Sequence, residues 1–157
     1  MYTLFTTLML ISKVDLTTPF HRRVVRKGMF KTLIVEDNAT FRQSLKELLH
    51  TRFPSMVVEE AGDGEEALQK IDANVPHIIF MDIKLPGENG LQITKKVKTK
   101  YPEVITIILT YFDLPEHREA ALQCGANHFL SKGTSSQEVV DLVQSIISEK
   151  GFGPDKG

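Results

Sequence analysis

The stretch His77-Ile-Ile-Phe-Met-Asp82-Ile-Lys-Leu-Pro86-Gly87 decides the fold. Its continuous apolar run, Ile78 to Met81, suits a strand covered on both faces. The run ends in one carboxylate, Asp82, and Pro86-Gly87 then supplies a tight turn. Working outward, the acidic pair Glu36-Asp37 ends another apolar run, Leu33-Ile-Val35, and Thr110 and Lys132 end two more. Strand ends bearing carboxylates, a hydroxyl and an ammonium look like a site.

Between these runs the chain alternates strand and helix patterns. Strands are expected at Thr32–Glu36, Met56–Glu60, His77–Met81, Val104–Leu109 and His128–Leu130. The second is the most polar, as an edge strand would be. Asn38 caps a first helical pattern whose inward face is Phe41, Leu45, Leu48 and Leu49. Asp63 and Glu66 resemble a capping box ahead of Ala67, Leu68 and Ile71. A third helix starts near Asn89-Gly90, with Leu91, Thr94 and Val97 inward. The fourth is the weakest, with Pro115 in its first turn and Ala120, Ala121 and Leu122 inward. Ser135 and Glu138 cap a fifth, which carries Val139, Leu142, Val143, Ile146 and Ile147 and stops at Gly151. Strict alternation of strand and helix demands right-handed crossovers and a doubly wound, parallel α/β sheet. Such sheets bind ligands outside the carboxyl ends of their strands, where the acidic residues sit.

Length and charge bound the rest. The 157 residues make one domain with a proper core, and their composition, 41% hydrophobic and 25% charged, is ordinary. A single cysteine, Cys124, rules out an internal disulfide and reads as a small buried hydrophobe. Residues 1–28 carry Lys13, Arg22, Arg23, Arg26 and Lys27 against Asp15, about +4. The remainder holds 14 basic and 19 acidic residues of the totals 19 and 20, about −5. An acidic body argues against direct binding of a nucleic-acid backbone. The apolar stretch Tyr2 to Ile11 is too short to span a bilayer, and its basic cluster follows it, the wrong order for a signal peptide. Residues 1–28 are therefore expected to be a poorly ordered extension in preference to a membrane-surface anchor. Residues 29–150 form the domain, with Met29 as its start, and 151–157 a flexible tail.

With Glu36-Asp37, then Asp82 with Pro86 and Gly90, then Thr110, then Gly125-Ala126-x-x-Phe129-x-x-Lys132 in this order, the chain resembles the receiver domain of two-component response regulators. The resemblance covers roughly Phe30 to Lys150. It implies a flavodoxin-like (βα)5 three-layer sandwich whose five-stranded parallel sheet has order 2-1-3-4-5. It also implies a cytoplasmic switch in which Asp82 accepts a phosphoryl group from a sensor histidine kinase or a phosphotransfer protein. Lys132 would pair with a phosphoryl oxygen, Thr110 would donate to another after its loop moves inward, and Phe129 would turn inward in response. The first helix, around Phe41 to Leu48, would choose the kinase. The site would not turn over a substrate as an enzyme does.

The physical reading supports a metal. Carboxylates 4 Å apart repel by about 4 kcal/mol per pair at an effective dielectric near 20. A divalent cation relieves this, and an all-oxygen, partly hydrated site suits Mg²⁺. Asp37 and Asp82 are the expected side-chain ligands, Glu36 acts directly or through water, and the backbone carbonyl of Lys84 completes the set by resemblance. His50, His77, His117 and His128 are too scattered to form a metal set.

Two departures carry expectations of their own. Gly133 follows Lys132 where most of the family has proline after a cis bond. This variant is similar to the branch whose full-length members carry a C-terminal helix-turn-helix domain, so the chain is expected to be either a single-domain regulator or one cut before its effector, and the Lys132–Gly133 geometry is left open. By the resemblance, Lys84, two after Asp82, and Phe112, two after Thr110, would flank the path of a hydrolytic water. Since the Phe112 side chain cannot hydrogen-bond one, slow loss of the phosphoryl group is expected. Two rival functions remain. A haloacid-dehalogenase-type phosphatase wants a second Asp where Lys84 stands. A pseudo-receiver, binding partners without phosphorylation, usually lacks part of the acidic set. The output partner and any phosphorylation-dependent homodimer are not named by the sequence.

Overall fold

The computed structural model describes residues 28–153. The expected extension lies outside the described residues, apart from Gly28. Ten elements alternate strictly: β1 (Lys31–Val35), α1 (Ala39–Arg52), β2 (Val57–Ala61), α2 (Gly64–Ala73), β3 (Ile78–Met81), α3 (Gly90–Lys100), β4 (Ile105–Thr110), α4 (Pro115–Gln123), β5 (His128–Ser131) and α5 (Ser136–Glu149). All strand pairs are parallel, and the sheet order is β2-β1-β3-β4-β5, as the resemblance implied. The expected strands are present, their bounds shifted by a residue at most ends.

Alternation along each strand splits the core into two layers. Ile34, Phe80, Ile107 and Leu109 meet Leu45 and Leu49 of α1 and Val139, Val140, Val143, Ile146 and Ile147 of α5. Leu33, Val35, Ile79, Met81 and Ile108 meet Ala67 and Ile71 of α2, Ile93 and Val97 of α3 and Ala121 of α4. Each fully buried Leu or Ile contributes about 1.5–3 kcal/mol. β3 is buried throughout, whereas the outer strand β2 is half-buried over most of its length, fitting an edge that carries Glu59 and Glu60.

The caps account for most helix boundaries. Asn38 accepts from the Phe41 amide at 2.9 Å, and Asp63 from the Glu66 amide at 2.8 Å. The expected box at α2 is displaced: the Glu66 carboxylate accepts from Gly62, one residue before the cap. Ser135 and Glu138 form a complete box. At the other end of α5, Gly151 (φ 80°) lets its own amide and that of Phe152 reach back to Ser148 and Ile147. Phe152 then packs edge-on against Phe30 at 5.2 Å, so apolar packing runs past the end of α5.

Three inward assignments need correction. Leu122 is 69% exposed, and α4 buries Ala121 alone, because three successive residues of a helix cannot share one face. On α3 the buried set is Gly90, Ile93, Thr94 and Val97, with Leu91 half-buried at the rim. Cys124, at the C-cap of α4, is also only half-buried. Among the described residues no peptide bond is cis, so Lys132–Gly133 is trans. Nor is any helix among them long and apolar enough to cross a membrane.

Candidate functional site

Ladder hydrogen bonds carry the backbone one residue beyond three strands and thereby aim the site. The Glu36 amide donates to Ala61 at 3.0 Å, that of Asp82 to Val35 at 3.0 Å, and that of Lys132 to Thr110 at 2.9 Å. Glu36, Asp82 and Lys132 thus stand together at the carboxyl end of the sheet. Gly90 fixes the turn behind Asp82: a Cβ there would lie 1.9 Å from the Asp82 carbonyl oxygen. Only glycine lets the start of α3 approach that closely, and its amide donates to Ile83 at 2.9 Å.

Burial dictates the pairing. Glu36 is 3% and Asp82 7% exposed, so neither carboxylate is tolerated alone. The Lys132 ammonium answers both, contacting Glu36 Oε2 closely and Asp82 Oδ2 at 3.2 Å. The second Glu36 oxygen accepts from the Asn38 amide at 2.9 Å. Burial still holds the Glu36 carboxyl above the usual range, against the pull of Lys132 and Asn38, and the Asp82 charge adds to the rise. Burial alone would lower the Lys132 ammonium, but the Glu36 hydrogen bond and the Asp82 and Glu36 charges outweigh it and raise the pKa.

Asp37, the exposed member, completes the acidic set. Glu36, Asp37 and Asp82 each offer a carboxylate oxygen within 4.8 Å of the others. Hard oxygen donors on converging strand ends, one of them open to water, fit Mg²⁺. The Lys84 side chain is exposed on the turn just after Asp82. Thr110 is wholly buried at the end of β4, and its hydroxyl accepts from the Phe112 amide at 3.3 Å. Phe129, half-buried on β5, packs on the α2–α4 side of the sheet.

Four residues around the site went unassigned, or were assigned otherwise, in the sequence. Arg42 of α1 donates to the Glu36 carbonyl at 2.6 Å and to Glu60 at 3.2 Å, bracing the acidic pair from behind. Phe41, read as a core residue, is half-buried and lays its ring 4.6 Å from the Lys132 ammonium; Tyr111 does the same at 5.0 Å. Arg118 pairs with both oxygens of Asp113, at 2.5 and 2.7 Å, and its guanidinium lies 4.7 Å from the Phe129 ring. The one available signal was at Tyr111, an aromatic directly after Thr110.

Comparison with known proteins bears on the family and the fold. The family model described as the response regulator receiver domain matches residues 32–144. The chain is 33% identical over 120 residues to the response regulator UvrY of Escherichia coli O6:H1, covering 76% of this chain and 55% of that protein. It is 30% identical over 122 residues to an uncharacterized transcriptional regulatory protein, YesN, of Bacillus subtilis (strain 168), covering 77% and 33%. The chain thus spans between a third and just over half of these relatives. The crystal structure of a CheY-like response regulator receiver domain protein from Methanospirillum hungatei JF-1 superimposes with a TM-score of 0.73 at 25% identity, over 78% of this chain and 97% of that one. Sheet order, site and family match thus lead to one conclusion: the chain belongs to the response regulator receiver domain family of two-component systems.

Proposed function

We propose that this domain is a phosphorylation-gated signalling switch in which Asp82 accepts a phosphoryl group from the phosphohistidine of a sensor histidine kinase or a phosphotransfer protein. The observation that supports this most is the Lys132 ammonium set between Glu36 and Asp82 at the sheet's carboxyl end. A carboxylate oxygen of Asp82 attacks phosphorus. A P–O bond forms as the P–N bond to the donor imidazole breaks, and the departing nitrogen takes up a proton from solvent. Asp37 and Asp82 would hold Mg²⁺ with their side chains and Lys84 with its backbone carbonyl. Both Glu36 oxygens already accept hydrogen bonds, which favours the reading that it acts through water. When bound, Mg²⁺ screens the repulsion between the carboxylates and the donor phosphate.

The new group carries about −1.5 to −2 charges. Lys132 shifts from Glu36 toward a phosphoryl oxygen, as a point charge on a flexible stem can. Thr110 exchanges its Phe112 amide partner for another phosphoryl oxygen, and Phe129 turns inward. The face of α4, β5 and α5 then presents a different surface to an output partner or to a second copy. The group biases an existing two-state element, and turnover of a substrate is not the purpose. Location in the cytoplasm and kinase choice by the Phe41–Leu48 region of α1 belong to the same reading. So does slow loss of the group behind Lys84 and Phe112.

Mass spectrometry after incubation with Mg²⁺ and acetyl phosphate tests the assignment. The expected result is a gain of one phosphoryl group that Asp82→Asn abolishes. No gain with acetyl phosphate or a phosphohistidine donor favours a pseudo-receiver that signals by contact alone.

A further inference from the structure

Two consecutive residues of the loop between β4 and α4 lay their rings on the two lysines flanking Asp82. The Lys132 ammonium lies 5.0 Å from the Tyr111 ring centroid. The Lys84 ammonium lies 3.7 Å from that of Phe112. Hydrophobic burial does not account for these positions, since Tyr111 is 67% and Phe112 37% exposed. The negative face of an aromatic ring attracts a cation within about 6 Å of its centroid, which does account for them. Phe41 supplies a third ring, 4.6 Å from Lys132 and edge-on to Tyr111 at 6.3 Å. Lys84 and Lys132 belong to different strand ends, so the loop is tied to both sides of Asp82 at once.

We infer that Tyr111 and Phe112 form an aromatic clasp that holds the β4–α4 loop in its unphosphorylated position, and that a phosphoryl group on Asp82 opens it by drawing both ammonium groups off the rings. A group of nearly two negative charges attracts an ammonium more strongly than a ring's quadrupole does, so each lysine is drawn toward the phosphoryl oxygens and away from its ring. The loop that is freed is the one in which Thr110 must move. Its next residue, Asp113, grips Arg118, whose guanidinium covers Phe129. Opening the clasp therefore loosens the cover on Phe129 as well. Tyr111 and Phe112 act here as positioning residues. The opening step rests on Asp82 being the phosphoacceptor; the closed clasp does not.

NMR of the lysine ε-methylene groups tests both halves. Protons above a ring face are displaced upfield, so the free protein is expected to show upfield-displaced Lys84 and Lys132 signals. Phe112→Leu, which keeps bulk and removes the ring, returns Lys84 to its ordinary position. Tyr111→Leu moves Lys132 part of the way, because Phe41 remains. Mg²⁺ with beryllofluoride, a phosphoryl mimic, abolishes the Lys84 displacement in the unaltered protein. With the clasp weakened, each leucine variant binds beryllofluoride about twofold to fivefold more tightly, the equivalent of one exposed cation–π contact. Ordinary Lys84 shifts in the free protein, or unchanged beryllofluoride affinity in both variants, overturn the clasp. Displacements that persist once the mimic is bound overturn its opening. Failure of Asp82 to take either the mimic or a phosphoryl group overturns the phosphoacceptor reading and the opening together, while the free-protein shifts still decide the closed clasp.

Discussion

Helices α4 and α5 flank β5, yet they are held in opposite ways. α5 buries Val139, Val140, Val143, Ile146 and Ile147 and is closed by a complete capping box. α4 buries Ala121 alone, and its N-cap, Leu114, makes no side-chain hydrogen bond. What α4 has instead is polar and aromatic. Arg118 grips Asp113 and covers Phe129, and the His117 ring nitrogen lies 2.9 Å from the Phe112 carbonyl oxygen. Apolar burial is non-directional and proportional to area, so moving α5 costs its whole face. The contacts of α4 are polar and aromatic, and on the proposed reading a change of charge at the site trades them. One helix is anchored by apolar area, and its neighbour is held by exchangeable contacts.

The contrast is open to several tests. Ile146→Ala on α5 should cost about 2–5 kcal/mol of stability in urea denaturation. Ala121→Gly, at the buried point of α4, should cost only about 1 kcal/mol. Equal losses would remove the distinction. The caps offer a smaller version of the same test. Ser135→Ala should destabilise by about 1 kcal/mol, whereas Leu114→Ser, which gives α4 the cap it lacks, should stabilise by up to about 1 kcal/mol. A stabilised α4 should also respond less readily to the phosphoryl mimic.

The smallest effects concern Arg118. Arg118→Gln should leave the urea midpoint nearly unchanged, since the ion pair is exposed. The Phe129 ring signals in NMR should nevertheless move. Acid should do the same. The Arg118 hydrogen bond holds the Asp113 carboxyl below its ordinary value. Its contribution is therefore fully present above the unfolded-state carboxyl value and is lost as pH falls through the depressed one. Phe129 signals should shift over that acid range in the unaltered protein and stay put in Arg118→Gln.

Much of this was legible before the fold was known. The run Ile78 to Met81 behaves as a strand covered on both faces because nothing polar interrupts it. Asp37, Asp82, Thr110 and Lys132 announce a site because all four end such runs. The packing of α4 was misread for a definite reason. Ala120, Ala121 and Leu122 are adjacent, and periodicity cannot choose among them without a longer apolar face. Which carboxylate Lys132 meets more closely was also illegible. A four-carbon stem reaches either, and the choice is made by the depth of Glu36 against that of Asp82. The rings of Tyr111 and Phe112 face lysines far away in sequence, and no local pattern encodes that.

Hydrogen exchange read by mass spectrometry, with and without acetyl phosphate and Mg²⁺, tests most directly the claim that Asp82 moves the α4 side and spares α5. The predicted result is a change in exchange concentrated in residues 110–129 of the phosphorylated protein, little change across α5, and none of it in Asp82→Asn. A change spread evenly over both helices, or one that survives in Asp82→Asn, would contradict the account.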